Sequence, residues 1–315
     1  MWSWGGPPHW LPPACLAIGV VLPSLSALAL RGIGLAAFCL VLFGLLTMTA
    51  GRATRADLGP TAVLVVAASA IAPALADRLA WVLDVPPGLH IAIVVFAAAP
   101  IAQSVGPLAA MLGLPDRAAT FAALITVLLA PVVLPAAVSL SVGGTAGLAG
   151  DALVHRVAIL ALLPALIAFA LRQALPAQVA EWRLDFRGLV LLALAVVAAA
   201  AGQGIRGCLA EPSQALQLGA VAIAVMATAM GCGWVLTRRF GTGVALAGLY
   251  ACGARNMGFA WAAVAPDLDA DGTRFVNLTV LLFFLLPWMM RRLMRWAANE
   301  GCASTPGALP AGRPI

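Results

Sequence analysis

The stretch Tyr250-Ala251-Cys252-Gly253-Ala254-Arg255-Asn256-Met257-Gly258-Phe259-Ala260 sets an arginine at the middle of a long apolar segment. No other long apolar segment of the chain carries an ionisable residue at its centre. An Arg at mid-membrane costs at least about 2.5–3.5 kcal/mol on insertion scales, so such a residue marks a functional position by default. Gly248, Gly253 and Gly258 around it, with Asn256 beside it, predict a helix interrupted at mid-depth, where freed backbone groups and a charge converge.

The rest of the chain supports a membrane setting. Apolar residues make up 63% and charged residues 10% of its 315 positions, against about 45–50% and about 25% in soluble domains. All 18 basic side chains are Arg, which excludes a phosphate-cradling Gly-Lys pair, a Schiff-base lysine and a lysine nucleophile. The Gly-rich run Gly143–Gly150 is therefore read as a turn. The net charge of +6 comes from arginines dispersed between apolar segments, not gathered on one face, so nucleic acid is not an expected partner. The six cysteines occur singly, without C-x-x-C spacing, and are read as small buried hydrophobes.

A window of about 19 residues finds ten candidate spans, near 14–31, 33–50, 58–76, 89–112, 118–141, 152–171, 188–205, 215–236, 243–265 and 275–293. Assigning the loops alternately to two sides puts twelve arginines on the side of the N-terminus and five, Arg31, Arg78, Arg156, Arg206 and Arg274, on the other. Both termini are then expected in the cytoplasm. Trp2, Trp4 and Trp10 read as an interfacial anchor, and the turn-rich stretch 297–315 as a disordered cytoplasmic tail. Arg-only, Ala-rich usage points to a GC-rich bacterial source, hence to the cytoplasmic (inner) membrane.

Thr126-Val127-Leu128-Leu129 returns as Thr279-Val280-Leu281-Leu282, each copy followed by a proline, Pro131 and Pro287. Gln103-Ser104-Val105-Gly106 likewise precedes Arg255-Asn256-Met257-Gly258 by 152 residues. An offset of about half the chain predicts two five-helix repeats, 1–141 and 152–293. Five being odd, the two copies must be inverted. The expected fold is an all-α polytopic membrane protein of about ten helices. In span four, Pro100, Gly106 and Pro107 remove helix hydrogen bonds at mid-segment, and in span nine Gly253 and Gly258 do the same. Unwound backbone at that depth is tolerated only where protein or a water-filled cavity covers it, so both breaks are expected to line one shared polar pocket.

Residues Cys252–Ala260 resemble the ninth-span segment Val-Gly-Met-Gln-Asn-Ser-Gly-Leu-Ala of the bile acid:sodium symporters and their arsenite and riboflavin transporter relatives. Residues 100–106 are similar to that family's fourth-span Pro-Gly-Gly-Thr-Ala-Ser-Asn, and 126–131 to its fifth-span Ser-Thr-Leu-Leu-Ala-Pro. The resemblance implies ten helices in a panel and a core, two broken helices crossing in the core, and organic-anion uptake driven by sodium at the crossing. The departures fall on the family's ligands. Its sodium-binding Glu is Ala251 here, its ligating Gln is Arg255, and its Ser-Asn pair is Val105-Gly106. A hard cation wants several oxygens and usually a carboxylate, yet all twelve acidic residues lie in tails, loops or span edges. Sodium coupling is accordingly expected to be lost or altered, with no cofactor and no metal ligands.

The expected function is secondary transport of a small organic anion, with Arg255, Asn256, Gln103, Ser104 and Thr126 as the binding residues. The guanidinium would stand in for the sodium ion and attract carboxylate or oxyanion in bidentate fashion; alternatively it braces the broken helix by donating to freed carbonyls. Without a coupled cation, a potential of about 100 mV, inside negative, at about 2.3 kcal/mol per charge favours export of a monoanion roughly fifty-fold. A sodium symporter using other ligands, and a transport-dead sensor or scaffold, are the alternative readings. An enzyme is not expected, because no Ser/His, paired-Asp or His/Glu set falls within the spans. His90 and His155 sit near span ends and read as interfacial packing. Asn277-Leu278-Thr279 lies inside a span and reads as an interhelical contact instead of a glycosylation site. Asp267, Asp269 and Asp271 lack the glycine and distal Glu of a calcium loop. Nothing in the sequence sets the oligomeric state or the identity of the anion.

Overall fold

The computed structural model describes residues 11–48, 54–141 and 150–303, with the side chains of 150 and 295–303 excepted. The N-terminal tryptophans, the glycine run and everything beyond Ala303 lie outside the described residues. Apart from one isolated bridge, the described residues are helix, turn or irregular chain.

The helices in order are α1 (Leu11–Val21), α2 (Pro23–Arg31), α3 (Ile33–Thr47), α4 (Arg55–Val66), α5 (Ala72–Val82), α6 (Pro87–Ala98), α7 (Val105–Met111) and α8 (Arg117–Ser141). They continue with α9 (Gly150–Ala174), α10 (Pro176–Glu181), α11 (Arg183–Ala210), α12 (Pro212–Thr237), α13 (Thr242–Gly253), α14 (Met257–Val264) and α15 (Ala270–Ala303). Among the described residues, six helical segments are long and apolar enough to cross a bilayer, seven if α1 and α2 count together. The other apolar helices, α3, α6 and α13, have 15, 12 and 12 residues, short of the roughly 20 that about 30 Å of hydrocarbon requires.

Two expectations are corrected here. The first span is not one straight helix: α1 and α2 meet at 118°, because Pro23 disfavours helical geometry at Leu22, which is extended (φ −110°, ψ 96°). The last helix runs to Ala303, beyond the Ala297 at which the tail was expected to begin.

In the six long segments at most half of the apolar window is buried within the protein. Large apolar side chains such as Val21, Leu35, Leu140, Leu166 and Leu216 point outward, as a hydrocarbon solvent permits and water does not. Trp81 and Trp182 are exposed near helix ends, and Trp288 is exposed six residues before Met294, where the last apolar span ends, the placement of interfacial aromatics. Contact between helices depends on small residues, as lipid-embedded packing does. Gly202 of α11 lies against the backbone of Gly19 in α1, and a Cβ at either position would collide with main chain. Gly204 accommodates Asn277 of α15, which is buried and facing α11 as an interhelical residue.

Some arginines do more than report topology. Arg172 Nη2 donates to the carbonyls of Leu45 (2.6 Å), Leu46 (3.2 Å) and Met48 (2.5 Å), closing the C-terminus of α3. Arg206 donates to Val20 O near the end of α1. A cation on terminal carbonyls satisfies acceptors that the helix leaves open.

Candidate functional site

Segment 55–82 is one helix interrupted by a π-turn at Ala67–Ile71. Ala72 N–H bonds Ala67 O across five residues, and Pro73, which would serve Ala68 O in the same register, has no N–H to give. Ala68 O is therefore left open inside the bundle. Two further carbonyls are freed nearby: Ala99 O, where α6 stops, and Cys252 O, because Asn256 N–H turns away to Pro100 O (2.8 Å).

Arg255 collects all three. Its Nε donates to Cys252 O (2.9 Å), and its Nη1 donates to Ala99 O (3.1 Å) and Ala68 O (3.3 Å). The side chain is 1% exposed. Nη2 is buried and has no hydrogen-bond partner among the described residues, and no ion pair to Arg255 is present among them. Three neutral carbonyls orient the guanidinium without cancelling its charge.

The two breaks meet, main chain against main chain. Ala99–Ser104 separates α6 from α7, and Ala254–Asn256 separates α13 from α14. Where they cross, Ile101 and Arg255 form an antiparallel bridge, with Ala102 N–H donating to Ala254 O (2.9 Å) and Asn256 N–H to Pro100 O. Unwound main chain thus satisfies main chain, which answers the demand for backbone partners in a dry interior. Ile101 N–H is taken by Thr126 Oγ1 (3.1 Å), whose own proton goes to Ala123 O (3.1 Å).

Neighbouring residues on extended chain point to opposite sides, so Arg255 and Asn256 diverge. Arg255 faces the π-turn. Asn256 donates Nδ2–H to Gln103 Oε1 (2.9 Å) and accepts from Phe259 N–H (3.1 Å), capping α14. Gln103 packs on Gly44 of α3, and its Nε2 is a second buried donor without a partner among the described residues. Ser104 is partly exposed at the N-cap of α7 and makes no capping bond. All five predicted binding residues lie in or against the two breaks, but they do not converge on one point: Asn256 bonds Gln103 on one side, Arg255 faces the other, Thr126 has its hydroxyl committed to the backbone, and Ser104 stands at the end of its break.

The break positions are corrected in part. Pro100 lies in the break and Gly253 closes α13, but Gly106 and Pro107 belong to the first turn of α7 and Gly258 to that of α14. A proline there costs no hydrogen bond, since first-turn N–H groups have no intrahelical acceptor. Gly106 is small for packing, because a Cβ would run into Thr120 Oγ1. Pro131 and Pro287 interrupt nothing: α8 and α15 continue through them.

Other candidates are engaged elsewhere. Asp267 pairs with Arg156 (2.6 Å), Asp269 caps Gly272 N–H (2.7 Å), and Asp271 accepts from Gln214 (2.7 Å), so the three carboxylates do not converge. His90 lies 2.9 Å from Asp77 between α5 and α6. Sequence reasoning missed Ala68, whose carbonyl carries no side-chain signal; Pro73 in mid-span was the available clue. Compared with known proteins, the chain matches no family model, and no curated protein matches it.

Proposed function

We propose that this protein is a secondary membrane transporter of a small organic anion, similar to the bile acid:sodium symporters. In this reading it is built as ten spans in two inverted five-helix repeats, with α6/α7 and α13/α14 each counted as one broken span. Arg255 then replaces the coupling cation with a tethered one. The observation that carries the reading is the buried Nη2 of a guanidinium that has neither a hydrogen-bond partner there nor a carboxylate among the described residues, at the crossing of two broken helices. A charge left unneutralised in low dielectric attracts an anion far more strongly than a surface Arg does. Gln103 Nε2, on the other side of the crossing and without a partner among the described residues, offers a further N–H to an acceptor-rich solute.

The test is uptake and binding of labelled acetate, succinate and benzoate by the purified chain in liposomes, with and without sodium, on the parent and Arg255→Gln. Flux that is sodium-independent and lost in Arg255→Gln is expected. Sodium-stimulated binding would eliminate the ion-replacement reading, and full binding by Arg255→Gln would leave the arginine a brace alone.

A sensor or scaffold that binds without transporting is the second reading. It is favoured by the closure of the crossing, where Arg255, Asn256, Gln103 and Thr126 are all 6% exposed or less. Binding without flux in the same liposomes selects it.

A further inference from the structure

Away from the crossing, α12 packs against α4 and the π-turn that follows it. Between them lies a groove of about 490 Å³ lined by Val63, Val66, Ile71 and Val235, and by Arg238 and Arg239, which follow the end of α12. Val66 and Val235 are more than half exposed (52% and 53%). The two arginines follow the last turn of α12, exposed, and neither has a carboxylate partner among the described residues. Arg239 stacks on Phe240 at 4.8 Å, and Phe240 in turn packs over Gly59, so the basic turn is held across the groove's end.

We infer that this groove is a binding site for an anionic phospholipid, one acyl chain lying between α4 and α12 and the phosphate held by Arg238 and Arg239. The lining is apolar along its length and cationic only where the helix leaves the hydrocarbon. From Val63 to Ile71 the helix rises about 12 Å, close to the roughly 15 Å of one leaflet's hydrocarbon. Basic residues at the mouth of a groove between membrane helices suit lipid phosphate. The C-terminal end of α12 itself repels an anion, so the attraction must come from the two guanidiniums. The site is independent of the transport reading. Its inner end, Ile71, closes the π-turn that frees Ala68 O for Arg255, which places a lipid tail against the support of the buried charge.

Native mass spectrometry of the full chain in neutral detergent, titrated with dioleoyl phosphatidylglycerol or dioleoyl phosphatidylcholine, tests this. Phosphatidylglycerol is expected to be retained more tightly. Arg238→Gln with Arg239→Gln should weaken it about thirtyfold, roughly fivefold per guanidinium, while the Lys/Lys pair of substitutions keeps most of the binding. Val66→Trp, which fills the groove, should weaken both lipids, with helix content by circular dichroism unchanged in every variant. Equal retention of the two lipids, or undiminished phosphatidylglycerol on the Gln/Gln variant, overturns the inference. Displacement of the lipid by inorganic phosphate would reduce the site to an ion pocket and overturn it too. So would a parent dimer that Val66→Trp dissociates, since the groove would then be a contact between copies of this chain.

Discussion

Asn256 donates its side-chain amide to that of Gln103 at 2.9 Å, joining two helix breaks 153 residues apart in the chain. The same Asn256 presents Oδ1 to Phe259 N–H and its own N–H to Pro100 O. One short polar residue thereby starts a half-helix and ties it to the opposing break.

That pair is expected to show positive coupling in a double-mutant cycle. Asn256→Ala should cost more than Gln103→Ala, because it also removes the α14 cap, worth about 0.5–2 kcal/mol. The coupling energy should fall near the 0.6–1.7 kcal/mol typical of hydrogen bonds between membrane helices, at roughly those values. Reversible unfolding in bicelles measures it, and additivity within error would show that the amides merely lie close.

Thr126 supports the other break through a hydroxyl, not through shape. Thr126→Val keeps the volume and strands Ile101 N–H, so a loss of about 1–3 kcal/mol is expected. Thr126→Ser should recover most of it. Unfolding midpoints that rank Val with Ser would assign the residue to packing alone.

For Arg255 the magnitudes favour the brace as well as the site. Three charge-assisted bonds at about 1.5–3 kcal/mol each outweigh the roughly 2.5–3.5 kcal/mol of placing Arg at mid-membrane. Arg255→Met should therefore destabilise the protein by at least about 1 kcal/mol. Arg255→Lys retains the charge but cannot reach carbonyls on three segments with a planar fork, so it should lose stability while keeping part of any anion affinity. A Met variant more stable than the parent would mean that the buried charge is strained in favour of function.

Gly106 and Thr120 should behave as one steric unit. A methyl at Gly106 meets Thr120 Oγ1, so Gly106→Ala should cost about 1–3 kcal/mol by overpacking. Adding Thr120→Ala should return most of that, although it removes the bond to Asp116 O (2.8 Å). No recovery in the double variant would show that α7 cannot tolerate the added methyl for another reason.

What the residues disclosed in advance was what side chains and prolines announce. Pro100 and Gly253 marked breaks that exist, and Arg255, Asn256 and Gln103 marked the place where they cross. The acceptors around Arg255 were not legible, because Ala68, Ala99 and Cys252 act through carbonyls that every residue possesses. Those became special only through a register shift at Pro73 and two chain interruptions, which are properties of the assembled backbone. Gly106, Pro107 and Gly258 were assigned to the breaks since sequence alone does not separate an interruption from the first turn that follows it. The bend at Leu22 was signalled by Pro23, yet a hydropathy window averages across it.

The bridge between Ile101 and Arg255 depends on peptide groups, which substitution of ordinary side chains leaves in place. Substitution can therefore change the polar side chains at that junction while the scaffold that presents them stays sewn together. Such a junction is a socket whose side chains are replaceable without reinventing the fold.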